Sequence, residues 1–399
     1  DHRGRWHGPL RLERFTDFCR CVMDSPEGAA RCRACNHTMG LRSGGGGAVE
    51  CCHMGVSVIS MPVQVAEQRE LYLSYGQFLT QDTQAEFYRL LEQNCTELGL
   101  DYDRLRQAAG ELREKYPLTV LKQVTVQISK IDGTRKYLFA LADGNVIESV
   151  LMRYKHGNSV CISSQVGCRM GCRFCASTLD GKVRDLLPSE MLEQIYRIGA
   201  DIGERISNVV VMGTGEPLDN YDNLLKFIEL LTDENGLNIS QRNLTVSTCG
   251  IVPRMRELAE KKLQITLALS LHASSQEKRL ALMPVANKYE LSEVIDACRY
   301  YFEKTGRRVT FEYSLVAGVN DTDTDAAELQ ALVRGMNCHI NLIPVNPIKE
   351  RDFVQPSRDR VLDFKNKLEK NGINVTIRRE MGRDIDGACG QLRKRYIER

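Results

Sequence analysis

This 399-residue chain has no run of ~18 apolar residues, so it offers no membrane span. It also lacks the charged-then-apolar start of an export signal, and it opens at Asp1 without Met. Neither sign of charge is in excess. Lys+Arg number 54 against Asp+Glu 52, a net charge of +2. That balance excludes a purely electrostatic nucleic-acid binder, so any such partner has to be read from a local site. With 42% apolar and 27% charged residues, disordered and collagen-like chains are excluded. The length suits two or three soluble domains. Lysine is missing from a long stretch. Of 17 Lys the first is Lys115, where even spacing would put about five before it, and Arg is plentiful there. Residues 1–110 therefore read as a separate module, with drift in Arg/Lys usage as the competing explanation.

Cysteine is abundant instead, at 15. An odd count in a long chain without an export signal points to a reducing, cytoplasmic compartment. Clustered Cys are then read first as metal or catalytic groups, before disulfides.

The front module has helical patches over Arg14–Met39, a glycine connector Ser43–Gly47, and β-rich runs Val56–Val65 and Leu71–Leu79. Helical spacing returns at Phe87–Leu98 and Tyr102–Lys115. No Lys-Ser/Thr pair follows the glycines, so they are not a phosphate loop. Residues 111–157 hold a linker helix and a small antiparallel unit. Its strands, Gln123–Ser129, Lys136–Leu141 and Val146–Arg153, are separated by Asp132-Gly133 and Asp143-Gly144, dipeptides suited to tight turns. Residues 158–380 repeat β then α. Strands are expected at Val160–Ser164, Ser207–Met212, Leu244–Ser247, Ile265–Leu271, Val309–Leu315 and Ile340–Pro344, and a last one at Asn374–Arg378. One helix is expected from Ser189, as cap, to Gly203, with Met191, Ile195, Ile198 and Ile202 on one face; another runs from Ser357 to Asn371-Gly372. Six βα units are fewer than the eight of a closed barrel. The fold class is α/β, a partial (βα)6 TIM-like barrel with functional residues at the C-terminal strand ends. Residues 381–399 form a tail.

The strongest chemical signal is Cys168-x-x-x-Cys172-x-x-Cys175, directly after the first strand of the repeat. Three thiolates on a short loop suit three irons of a [4Fe–4S] cluster and leave the fourth open to a small molecule. A structural zinc wants a fourth ligand, and the next cysteine, Cys249, is far along the chain. A disulfide would strand the third sulfur.

This spacing at a first strand end resembles the radical S-adenosylmethionine (SAM) superfamily. The resemblance implies that the open iron binds the amino and carboxylate groups of SAM, and that reductive cleavage yields a 5′-deoxyadenosyl radical. Polar groups at later strand ends fit a SAM pocket: Gly215 and Glu216 in Gly213-Thr214-Gly215-Glu216-Pro217, Ser247, Ser270-Leu271-His272, and Asn346. Singly, each is more often a turn or a cap.

Two further segments, Asn158–Cys168 with Cys161 and Asp384–Leu392 with Cys389, resemble the dual-specificity RNA adenine-C2 methyltransferases of the RlmN family, as does Asn341–Pro347. The resemblance runs from about Leu112 to Arg399. It implies a thiol relay using two SAM per turnover. One SAM methylates Cys389, and the radical from a second takes hydrogen from that S-methyl group. The methylene radical then adds to C2 of adenine in 23S ribosomal RNA or transfer RNA. Glu148, alone an ordinary strand charge, matches the base that removes the C2 proton. Cys161 then attacks the Cys389 sulfur, forming a transient disulfide that external thiols reset. An electron donor is also implied. Cys249, Cys298 and Cys338 match no role and read as packing residues. Arg378-Arg379, Arg393-Lys394-Arg395 and Arg399 are candidate phosphate contacts or a solvated surface. The family's usual helical accessory domain is absent except around Leu112–Pro117. In its place Phe18-Cys19, Cys32-x-x-Cys35, Cys52-His53 and Tyr75-Gly76-Gln77 resemble PocR-type sensory domains with a PAS-like fold. Cys32, Cys35 and Cys52, with another of the group that includes Cys51, His37 and His53, suit a metal or reduced thiols, and the module suits a small ligand. The rival readings are methylation at adenine C8 and a non-catalytic iron–sulfur sensor.

Overall fold

The computed structural model describes residues 21–22, 24–42, 48–51, 54, 57–66, 69–78, 91–93, 95–107, 121–234, 236–346, 351–385 and 390–397. The Ser43–Gly47 connector, the Leu112–Pro117 remnant, Cys19, Cys52, His53, Cys389 and Arg399 lie outside them. The chain forms two compact units, Asp1–Leu118 and Thr119–Arg399. Among the described residues no helix is long and apolar enough to cross a membrane.

The first unit holds a helix, Pro26–Arg42, and an antiparallel sheet of β1 (Ala48–Cys51), β2 (Ser57–Ala66) and β3 (Arg69–Phe78) in the order β1-β2-β3. Cys32 and Cys35 lie one turn apart on the helix, on one side of it, and both are half-buried.

The second unit is built on one ten-stranded sheet. It begins with the antiparallel strands β4 (Lys122–Ile128), β5 (Arg135–Ala140) and β6 (Val146–Tyr154). The expected Asp-Gly turns join them, and Gly133 and Gly144 take φ of 71° and 83°, where a side chain is disfavoured. β6 then pairs antiparallel with β7 (Gly157–Cys161), so the small unit is continuous with the parallel strands. From β7 the sheet runs parallel through β10 (Ile206–Val211), β11 (Leu244–Thr248), β12 (Thr266–Ser270), β13 (Val309–Leu315), β14 (Cys338–Pro344) and β15 (Val375–Ile377). The sheet order ends at β15 and β4, which leaves the barrel open. A short hairpin, β8 (Gln165–Gly167) with β9 (Lys182–Asp185), stands apart.

The strands are apolar because both faces of a parallel sheet are covered. Val209 and Val211, Leu267 and Leu269, Phe311 and Tyr313, and Ile340 and Leu342 are all buried in one core. Each such side chain stabilises the fold by about 1.5–3 kcal/mol. The helix after β9 spans Pro188–Ile202 and buries Met191, Ile195 and Ile198, with Gly203 at φ 65° as its stop. Its start corrects the expectation that Ser189 caps it. Pro188 pre-sets the helical φ of the first turn, and the Glu190 carboxylate takes the Leu187 N–H at 2.8 Å. Ser357 does cap Arg358–Lys370, accepting the Arg360 N–H at 3.3 Å.

Candidate active site

Strand register assembles the first part of the site. Lys136 on β5 pairs with Val150 on β6, and Val150 pairs with Cys161, the last residue of β7. Cross-strand partners share a face, so these three form one row. Glu148 lies on the same face, two residues along β6 and beyond the end of β7. The thirteen-residue offset between Glu148 and Cys161 is thus the geometry of an antiparallel pair around a two-residue turn.

The Glu148 carboxylate is buried and fully engaged. Lys136 Nζ, also buried, lies 2.9 Å from Oε2. The backbone N–H of Gly390 donates to Oε2 at 2.7 Å, and that of Arg393 donates to Oε1 at 2.5 Å. Gly390 is the residue after Cys389 in sequence, and Arg393 lies in the helix Gln391–Ile397. A second clamp holds the tail upstream. Asp384 accepts from Ser129 Oγ at 2.6 Å and from the Lys130 N–H at 2.8 Å, and Asp132 accepts the Gly382 N–H at 3.0 Å. The β4–β5 turn, which carries Ser129 and Asp132, therefore anchors the tail on one side of Cys389, and Glu148 on the other.

The three-cysteine loop leaves the β8–β9 hairpin. The Cys168 N–H donates to Gly181 O at 2.9 Å, which closes the loop base. Thr178 Oγ1 donates to the carbonyls of Cys172 and Cys175 at 3.0 and 2.9 Å. Cys168, Cys172 and Cys175 are free cysteines, the first two buried and the third half-buried. Burial, then the charges of Cys175, Cys168 and Glu216, push the Cys172 thiol far above its ordinary range. Three thiols on one short loop, its base closed by backbone hydrogen bonds, are a donor set that fits an iron–sulfur cluster. A cuboidal cluster takes one thiolate at each of three separate irons, which three cysteines on one loop can supply.

A cavity of about 610 Å³ opens at the C-terminal strand ends, large enough for a nucleoside-sized ligand. Glu148, Cys161, Cys175, Ser247, Ser270, His272 and Asn346 all line it, so one wall joins residues expected to do chemistry with residues expected to bind SAM. Ser247 Oγ and Ser270 Oγ lie 3.4 Å apart. Gly215, Glu216, Leu271, Cys168 and Cys172 are not among the lining residues. Glu216 is turned inward. Its carboxylate accepts the N–H groups of Leu218 at 3.0 Å and Cys249 at 2.7 Å, and burial raises its pKa. Gly215, at φ 116°, lies where a Cβ would sit 2.7 Å from Ser164 Oγ and from Gln165 Cβ, so it permits close packing of the β10 loop.

His272 is a neutral donor held in place. Burial, then the Arg279 charge, lowers its pKa to about 3. Its Nδ1 accepts the Ser314 N–H at 2.9 Å, which leaves the proton on Nε2. Phe174, from the cysteine loop, packs edge-on against the ring with centroids 4.7 Å apart. A histidine depressed in the fold and titrating near 6.5 when unfolded stabilises fully above pH 6.5, and this is lost as pH falls towards 3. From pH 7 to pH 5 the wild-type chain should therefore lose about 2 kcal/mol more than His272→Gln, read by denaturant unfolding at both pH values.

Three residues of the site escaped the sequence reading. Lys136 had one signal, a charge inside the apolar run of β5. Glu312 had a similar one, a carboxyl in the apolar strand β13. It is buried, lines the cavity and accepts from Asn341 Nδ2 at 2.9 Å, and burial raises its pKa. Arg279 had none. Cys249, remote in sequence, packs against Cys172 with Leu282 and Met283. Cys298 is fully buried, with its thiol pushed up to about 12 by burial, which suits a packing residue.

A model of the radical SAM superfamily matches residues 162–329, and a model of the sensory domain found in PocR matches residues 9–129. The chain is 70% identical over 304 residues to a probable dual-specificity RNA methyltransferase RlmN of Lachnospira eligens, covering 76% of this chain and 85% of the relative. The RlmN of Lachnoclostridium phytofermentans, also described as probable, is 62% identical, covering 75% and 85%. A crystal structure of a radical SAM methyltransferase from Sphaerobacter thermophilus superposes with TM-score 0.68 at 41% identity, covering 78% of this chain and 95% of that one.

Proposed function

This chain belongs to the RlmN family of dual-specificity RNA methyltransferases, radical SAM enzymes, and from that premise we propose that it methylates C2 of adenine in 23S ribosomal RNA and transfer RNA through S-methylated Cys389. The observation that carries this reading is the Glu148 carboxylate. It accepts the N–H of the residue next to Cys389 and lines the same cavity as Cys161 and Cys175.

Cys168, Cys172 and Cys175 would hold a [4Fe–4S] cluster, and Ser247, Ser270, His272 and Asn346 would face SAM in the cavity. Gly215, Glu216 and Leu271, expected in the same SAM site, lie at the strand ends beside that cavity. When bound, cluster and SAM supply the hydrogen-abstracting radical, fed by an external electron donor. Each turnover uses two SAM, one of them spent on methylating Cys389, whose sulfur carries the new carbon to C2 of adenine. The radical adduct must give up one electron, which the bound cluster would accept, and Glu148 takes the C2 proton; when the carrier C–S bond later breaks, its electron pair stays on the carbon, which takes a proton to become the methyl group. Cys161 then attacks the Cys389 sulfur, the carrier C–S bond breaks, and methylated RNA leaves while a Cys161–Cys389 disulfide forms. An external thiol reduces it. The target adenine leaves its stack to reach this interior site. The match to the PocR sensory domain supports a small ligand or metal acting on the front module.

The test is anaerobic reconstitution of the full chain with iron and sulfide, then SAM and reductant with ribosomal RNA fragments and tRNA. Nucleosides are analysed by mass spectrometry against C2- and C8-methyladenosine standards. We expect iron bound through the three cysteines and 2-methyladenosine in the product. 8-Methyladenosine alone would reassign the carbon. Cys389 left unmethylated would favour a sensor without turnover.

A further inference from the structure

We propose that Arg279 is the counter-cation of the three-cysteine loop, a positioning residue that balances the charge of the bound cluster. The inference rests on the iron–sulfur reading above.

Arg279 lies in the helix Gln276–Leu282 and is fully buried. Its Nη2 donates to Cys249 O at 2.6 Å. Its Nε and Nη1 are buried without a hydrogen-bond partner. Among the described residues no carboxylate comes within ion-pair distance of it. A guanidinium stripped of water and left unpaired is costly, so native folds bury one where an anion stands close by. The anionisable groups whose fields reach Arg279 are Cys249, Cys172 and Cys298. Cys298 and Cys249 are buried packing thiols, and Cys172 belongs to the loop.

The packing links the same two elements. The Arg173 N–H, between Cys172 and Cys175, donates to Leu282 O at the end of the Arg279 helix, at 2.9 Å. Cys172 packs on Leu282 and Met283. Gly250, at φ 101°, makes room for the guanidinium, since a Cβ there would sit 3.2 Å from Nη2. The fold thus places a buried positive charge, with unpaired donors, on the helix whose end packs against Cys172. Three thiolates outweigh the charge of a cubane core, so the loaded site is anionic and becomes more so on accepting an electron. A buried cation beside it favours loading and favours the reduced form.

The experiment compares the full-length wild type with Arg279→Met and Arg279→Lys, each as apo chain and after anaerobic reconstitution. Iron content, denaturant stability and the cluster midpoint by EPR-monitored titration are measured. Charge balance predicts that Arg279→Met loses more stability loaded than apo. It also predicts a more negative midpoint, and that Arg279→Lys stays near wild type in both. If Arg279→Met fails to fold as apo chain, or loses the same stability in both states, the guanidinium is a structural donor to Cys249 and the proposal is overturned. An unchanged midpoint in an iron-loaded Arg279→Met overturns it too. A wild type that holds no iron defeats the functional reading itself, and Arg279 loses its role with it.

Discussion

Cys161→Ala is expected to leave protein covalently joined to RNA. In the proposed relay the base carbon is tied to the Cys389 sulfur until a second thiol attacks that sulfur. Cys161 is placed for this at the C-terminal end of β7, on the cavity wall and in one row with Val150 and Lys136. Removing its sulfur stops release while leaving the earlier steps untouched. The variant should therefore make adduct close to stoichiometrically and almost no released product. Labelled RNA would shift on a denaturing gel, resist boiling with thiol, and collapse on nuclease treatment. Stability does not confound the result. Loss of one small buried group costs about 1 kcal/mol, against a total of about 5–15. Release of methylated RNA by Cys161→Ala at the wild-type rate would remove Cys161 from the mechanism.

The second large effect is expected from Glu148→Gln, and it has two parts that can be separated. The amide cannot accept from Lys136 and both backbone N–H groups as the carboxylate does. It takes the carboxylate charge away from a fully buried ammonium, and breaking a buried ion pair in this way costs about 3–5 kcal/mol. Loss of a general base costs about 10²–10⁴ in rate. Removing Lys136 as well, in Glu148→Gln with Lys136→Met, takes away the buried ammonium and should recover most of the stability. Turnover should stay low, and the RNA adduct should persist, because its C2 proton still has no acceptor. If the double variant regains turnover along with stability, Glu148 is a structural anchor of the tail and another group is the base. In the fold each Glu148 oxygen is already accepting from the tail or Lys136.

Much of the second unit was legible because its signals are local. Alternation, short apolar runs and Asp-Gly turns set β4 to β6 to within about two residues, and β10 to β15 read equally well, whereas β7 lies three residues earlier than expected. Ser189 misled because a serine beside a proline looks like a cap, whereas the capping acceptor was the carboxylate of Glu190. The continuity of the antiparallel unit with the barrel sheet was invisible. It depends on β6 meeting β7 edge to edge, and no residue type announces which strands pair. Glu216 was read as an acceptor for an ammonium, and its carboxylate also takes the Cys249 and Leu218 N–H groups, contacts that no local stretch of sequence announces.

What the amino-acid order determined by itself is the donor chemistry. Three thiols within eight residues stay together on one loop whatever the rest of the chain does, and a repeat of β then α puts that loop at a strand end. What only the tertiary structure decided is which charges share a dry interior. Lys136 with Glu148 and Gly390, and Arg279 with Cys172 and Cys249, meet across tens to hundreds of residues. Those meetings follow from strand register and helix docking, and their strength follows from the exclusion of water, neither of which is written in any local stretch of sequence.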